Sequence, residues 1–193
     1  MSAYFAVFSA QFRMLLQYRA KAWAAVGTQM FWGLIRIAIF TSFYQSSIRT
    51  QPISLPDTIT YLWLVQALFS LTMWTADPAV CEKIRDGSIA YELLRPIDLY
   101  WFWYSRSVAS RFATTSLRSI PLFAIAGLFF GMALPPSLGA FLLFLFGLVV
   151  AVLLIAASAN LLTTVVLYTI SSEGIMRLSL PLTLLFSGLL IPL

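Results

Sequence analysis

The sequence contains no histidine, and of its 193 residues only seven are acidic and one is a cysteine. Without histidine there is no imidazole base, no histidine-ligated zinc, and neither a Ser-His-Asp nor a Cys-His nucleophile. A lone Cys81 excludes an internal disulfide and any cysteine-based metal cluster. Charge is also scarce. Asp, Glu, Lys and Arg make up 10% of the chain against 61% hydrophobic residues, and mean hydropathy is +0.90. A soluble domain of this size carries roughly a quarter of its residues charged, so lipid is the main solvent expected here. The net charge of +5 then follows from the excess of Lys and Arg on the inner side of membrane proteins, and nucleic acid is not an expected partner.

What is present is a series of apolar runs separated by short polar segments. In residues 1–21, Phe5, Phe8, Phe12, Leu15 and Leu16 fall at helical spacing opposite Ser9, Arg13 and Gln17. That pattern predicts an amphipathic helix lying in the membrane interface, followed by a headgroup-level turn at Arg19 and Lys21. The apolar run 22–44 is longer than a signal-peptide core and has no small-residue cleavage site after it, so it reads as a retained first span. A second span is expected over 58–76, ended by Asp77-Pro78. Residues 77–106 then gather most of the charge into one aqueous loop. A third span is expected over 112–133 with Arg118 in its inner third, and a fourth over 138–162, within an uncharged stretch long enough to overshoot the bilayer or bend near Asn160. Residues 175–193 begin a fifth span. The chain closes on Leu189-Leu-Ile-Pro-Leu193 with no charged anchor, so a C-terminally shortened version of a longer protein is expected.

Orientation follows from the basic residues. With the N-terminus inside, Arg13, Arg19, Lys21, Lys83, Arg85, Arg95, Arg106 and Arg177 are cytoplasmic and Arg49 alone lies outside.

The loop reads Cys81-Glu-Lys-Ile-Arg-Asp-Gly-Ser-Ile-Ala-Tyr-Glu-Leu-Leu-Arg-Pro-Ile-Asp98. Asp86-Gly87 signals a turn, Ser88 an N-cap, and Arg95-Pro96 a stop, which predicts a two-turn helix over 88–94 with Glu92 and Arg95 paired at i, i+3. So short a helix needs a docking surface, the headgroup region or a cytosolic partner. Alternatively, the segment is simply a solvated loop kept out of lipid by its charges.

This loop, the basic-flanked N-terminal helix and the first hairpin resemble the type-2 ABC exporter permeases, in the branch related to multidrug and viologen-type efflux permeases. The closing Phe186-Ser-Gly-Leu-Leu-Ile-Pro-Leu193 is similar to that family's fifth span. The resemblance implies an all-α integral membrane fold with an interfacial elbow helix and a coupling helix between spans two and three. Five of the expected six spans are present, without the sixth and the re-entrant element before it. It implies that Glu82, Lys83, Arg85, Asp86, Gly87, Ser88, Glu92, Leu93, Leu94 and Arg95 contact or shape the contact with a separate ATP-binding subunit. No phosphate loop occurs in the chain, so ATP and magnesium would belong to that partner and this chain would carry no cofactor and no catalytic site of its own. A second permease subunit, membrane lipids, and a bacterial inner-membrane location with the N-terminus in the cytoplasm complete the implied setting.

Outside the loop, Arg36 is a charge about two-thirds along the first apolar run, read either as a snorkelling or structurally paired cation or as a residue of the substrate path. Arg111 and Arg118, seven apart on one helix face with Thr114 and Thr115 nearby, would line an inward cavity or bind anionic headgroups. Asn160 and Gln66 are candidates for interhelical hydrogen bonds. Gly127-Leu-Phe-Phe-Gly131 matches a small-xxx-small packing motif. Two other functions are compatible with these residues: a lipid-modifying membrane enzyme using Asp77, Glu82 or Glu173, or a non-transporting scaffold.

Overall fold

The structure is a computed structural model that describes residues 3–17, 19–46, 51–72 and 75–169, together with Gly174, Arg177 and Pro181. All regular elements among these residues are helical: α1 (Ala3–Leu16), α2 (Arg19–Ser46), α3 (Leu55–Leu68) continued by a 3-10 turn (Phe69–Thr72), α4 (Pro78–Arg85), α5 (Ala90–Leu93), α6 (Leu99–Phe129) and α7 (Leu138–Thr169). Three of them, α2, α6 and α7, are long and apolar enough to cross a membrane. Their 28, 31 and 32 residues correspond to roughly 40–50 Å of helix, more than a ~30 Å hydrocarbon layer requires.

Helix starts follow local chemistry. Asp98 receives the Trp101 N–H at 3.1 Å and opens α6, and Ser137 receives the Ala140 N–H at 3.1 Å and opens α7. Ser54 accepts from Asp57 N–H to cap α3, which carries a proline in its first turn. Asp77 caps α4, with Pro78 at the first helical position and Lys83 and Arg85 in the last turn. The Asp77-Pro78 pair thus starts a helix, where the sequence reading took it only as a stop.

Other expectations are revised. The third predicted span is the second part of α6, which starts at Leu99 and runs unbroken through Pro121. The proline withholds one backbone donor, yet the remaining ladder carries the helix through. α7 is continuous past Asn160, so the long apolar stretch is one helix that overshoots. Over the predicted second span the described helix is the 14-residue α3, continued by the 3-10 turn, and α3 is not among the three helices long enough to cross. The packing motif at Gly127 is not used as such. Gly127 faces open space, while Gly131, at φ +64°, is the left-handed residue beyond the end of α6. Apart from Arg177 and Pro181, the predicted fifth span lies outside the described residues.

Two compact units can be separated. One contains α2, α3, the later part of α6 and the start of α7. Its core is Val26 of α2, Trp63 and Ala67 of α3, and Leu122 and Ala126 of α6. Gly33 is the close approach between α2 and α3, because a Cβ there would lie 3.0 Å from Trp63 Cζ3 and 3.3 Å from Gln66 Cγ. The Tyr44 hydroxyl donates to Ile53 O at 2.8 Å and lies 2.8 Å from Thr58 Oγ1, tying the end of α2 to the start of α3.

The other unit contains α1, α4, α5, the first part of α6 and most of α7. Val80, Phe102 and Trp103 pack with Val7, Ile84 and Leu167, and Ala76, Cys81 and Val166 form a second cluster beside them. α1 closes against α6 through Phe12 and Phe112, with ring centroids 6.0 Å apart. An apolar cavity of about 110 Å³ remains between Phe8, Val108, Phe112, Val149, Val152 and Leu153, with no polar group in its lining.

Candidate functional site

The charge-rich segment between the 3-10 turn and α6 folds back onto α6 and α7 through polar contacts at four points. Arg111 donates to Thr75 O at 3.1 Å. The Arg106 Nε lies 3.2 Å from Asp77 Oδ2. Its N–H is not aligned for a hydrogen bond, so the contact is an ion pair. Asp77 N–H donates to Thr163 Oγ1 of α7 at 3.1 Å, and the carboxylate also caps α4 through Ala79 N–H at 2.9 Å. The fourth point is Glu92, the one buried residue of α5, at 4% exposure.

Glu92 receives the Lys83 ammonium from α4 on one oxygen and the Trp103 indole N–H from α6 on the other, the latter at 2.9 Å. Burial alone would push its carboxyl up. The hydrogen bonds from Lys83 and Trp103, with the charges of Lys83 and Arg106, more than offset burial and hold it below the ordinary value. A carboxylate withdrawn from water is tolerated only when its lone pairs are filled in this way.

This arrangement corrects two expectations. Glu92 pairs with Lys83 and Trp103 instead of Arg95, whose guanidinium sits 5.5 Å above the Phe102 ring. Being buried, Glu92 supports the segment from beneath. The predicted two-turn helix over 88–94 shortens to the four residues of α5, whose N-cap is Ile89. Ser88 instead belongs to the turn, where its N–H donates to Asp86 Oδ1 at 2.8 Å, and hydrogen bonds from the Ser88 side chain and then its backbone hold the Asp86 carboxyl below its ordinary value. Gly87, at φ +78°, makes the tight turn that Asp86-Gly87 predicts.

The outer side of α5 is apolar. Tyr91 is 76% exposed, Leu93 57% and Leu94 80%. Glu82, Arg85, Asp86 and Arg95 are exposed alongside. A short helix with its charge inside and its large apolar side chains outside has the reverse of a water-facing pattern, and such a cluster marks an interaction surface. Tyr91 was not among the residues singled out from sequence. Its signal was there, an aromatic between two turn-forming dipeptides, but only the inward turn of Glu92 shows that Tyr91 points outward.

The remaining candidates separate. Asn160 is buried and donates to Tyr100 O at 3.3 Å, an interhelical bond between α7 and α6. Arg111 turns to Thr75, seven residues before Arg118 on the same continuous helix α6. Arg118 and Arg36 belong to the α2–α3 unit, are partly buried, and make no ion pair among the described residues. Thr115 Oγ1 lies 3.2 Å from Ser70 Oγ. Cys81 is buried against Ala76 and Val166, and burial, reinforced by the Asp77 charge, pushes its thiol up. At the start of α6 Tyr100 and Tyr104 stack and Trp101 meets both edge-on, with centroids 5.5–6.1 Å apart, the aromatic signature of a membrane–water boundary. No family model, no curated protein and no solved structure matches the chain.

Proposed function

We propose that the chain is the membrane-spanning subunit of an ATP-binding-cassette exporter in a bacterial inner membrane. It has its N-terminus in the cytoplasm, five spans counting α3 and the segment 175–193, and α1 as an interfacial elbow. A separate ATP-binding subunit docks on the α4–α5 segment, and a second permease chain completes the pathway for an amphiphilic or drug-like substrate. The observation that carries the proposal is the outward apolar cluster of Tyr91, Leu93 and Leu94 on a four-residue helix that cannot be stable alone. Two further features support it: the 81–98 motif, and the concentration of Lys and Arg on one side of the chain.

In this mechanism, ATP closes the partner subunits, the docked α5 is displaced, and the helices anchored to it tilt between two states of different substrate access. The test is co-expression with an ATP-binding-cassette subunit that co-purifies with the wild-type chain. Leu94→Asp, and separately Arg85→Glu with Asp86→Lys, are expected to cut co-purification about tenfold or more, as for loss of a central contact. Retention of the subunit at wild-type stoichiometry by both variants would refute the docking assignment.

A further inference from the structure

The polarity of α5 poses a question that docking alone does not answer. If the segment needed only to be held in place, an apolar residue at position 92 would pack against α6 at least as well as a buried carboxylate, since replacing buried ion pairs by apolar groups is often neutral or stabilising. A carboxylate adds direction. One oxygen of Glu92 fixes the Lys83 ammonium of α4 and the other fixes the Trp103 indole of α6. The tether is repeated along α6: Arg106 holds Asp77 and Arg111 holds Thr75. Three ties spread over residues 103–111 prevent the segment from rotating about any single one.

We infer that Glu92 is a positioning residue that clamps α4 and α5 to the first part of α6, so that a load applied to Tyr91, Leu93 and Leu94 reaches α6 instead of bending the loop. The inference rests on the exporter reading only for the origin of the load. The clamp itself is a property of this chain. A flexible loop of the same composition would bind a partner equally well and transmit nothing, because displacement would be absorbed at the turn around Gly87, a glycine at φ +78°.

The experiment uses the full chain in lipid nanodiscs, with Cys81→Ala and an environment-sensitive fluorophore on Ile120→Cys, an exposed position of α6. It is run with the ATP-binding subunit, before and after trapping with ATP and vanadate. Glu92→Gln keeps an acceptor for Trp103 but loses the charge pair. Lys83→Met loses the same pair from a more exposed partner and serves where Glu92→Gln fails to fold. Both variants are expected to retain the ATP-binding subunit within about twofold, to lose about fivefold or more of the nucleotide-dependent fluorescence change, and to exchange the amide hydrogens of 90–94 about tenfold faster. Leu94→Asp is expected to do the opposite, losing the subunit while amide exchange stays at the wild-type rate.

An undiminished fluorescence response in both clamp variants overturns the inference, as does loss of the subunit to the Leu94→Asp level. If Leu94→Asp and the Arg85→Glu, Asp86→Lys variant both still bind the subunit, the docking assignment fails. The clamp is then decided by exchange alone, with unchanged rates in Glu92→Gln and Lys83→Met refuting it.

Discussion

Replacing Gly33 by alanine adds one methyl group at the tightest contact between α2 and α3, and the consequence follows from distances. The new Cβ would stand 3.0 Å from Trp63 Cζ3, 3.3 Å from Gln66 Cγ and 3.4 Å from Trp63 Cη2. Carbon atoms prefer about 3.5–4.0 Å. Trp63 cannot yield easily, being fully buried and backed by Phe130 at 5.0 Å between centroids. Overpacking of this kind costs about 1–3 kcal/mol, while a helical Gly→Ala change gains about 1 kcal/mol. The net effect at Gly33 is therefore a loss of up to about 2 kcal/mol. Gly27, on the same helix, has nothing within 4 Å, so Gly27→Ala keeps the whole propensity gain. Thermal unfolding of the two variants in detergent provides the assay. At roughly 2–4 °C per kcal/mol for a chain of this size, Gly27→Ala should melt a few degrees above Gly33→Ala. Equal melting temperatures, or a higher one for Gly33→Ala, would refute the close-contact account of α2–α3 packing.

Lowering the pH tests the Glu92 site. Its carboxyl is held below the ordinary 4.5, so the stabilisation is fully present above that value and is lost as pH falls through the lower, folded-state value. Amide protection over 90–94 should be constant from neutral pH down to 4.5 and decline as pH then falls through the lower, folded-state value, with no such decline in Glu92→Gln. Cys81 should react with a membrane-impermeant maleimide about tenfold or more slowly than an exposed thiol from either side of the membrane, because it is buried and its thiol is shifted up. Denaturation should restore rapid labelling, and fast labelling of the native chain would contradict the packing against Val166. Asp77→Ala removes both the cap of α4 and the partner of Arg106 and should cost about 1–3 kcal/mol, read as a lower melting temperature. Asp77→Asn, which can still cap, should recover part of it.

Much of this architecture was readable in the residue order. The apolar runs that became α2, α6 and α7, the turn at Asp86-Gly87 and the placement of nearly all polar chemistry between residues 77 and 106 each depend on a local property, either hydropathy over a helix length or the φ preference of one glycine. The errors share a cause. Asp77-Pro78 was read as a stop because proline both ends one helix and starts the next, and only the 2.9 Å bond from Ala79 to the Asp77 carboxylate shows which applies. Glu92 was paired with Arg95 by helical spacing, the nearest opposite charge along the chain. Its actual partners stand nine residues before and eleven after.

Composition by itself pointed to lipid as the solvent of this protein, and the apolar runs located its long helices though not their ends, because both properties act over a few residues at a time. Tertiary structure alone decided which charges face inward, that Gly33 rather than the Gly127–Gly131 pair is the close contact, that Cys81 is buried, and that α5 shows its apolar side outward. Those outcomes depend on side chains delivered by other helices. A buried carboxylate is stable only where a distant ammonium and indole arrive together, and no local pattern in the chain specifies that meeting.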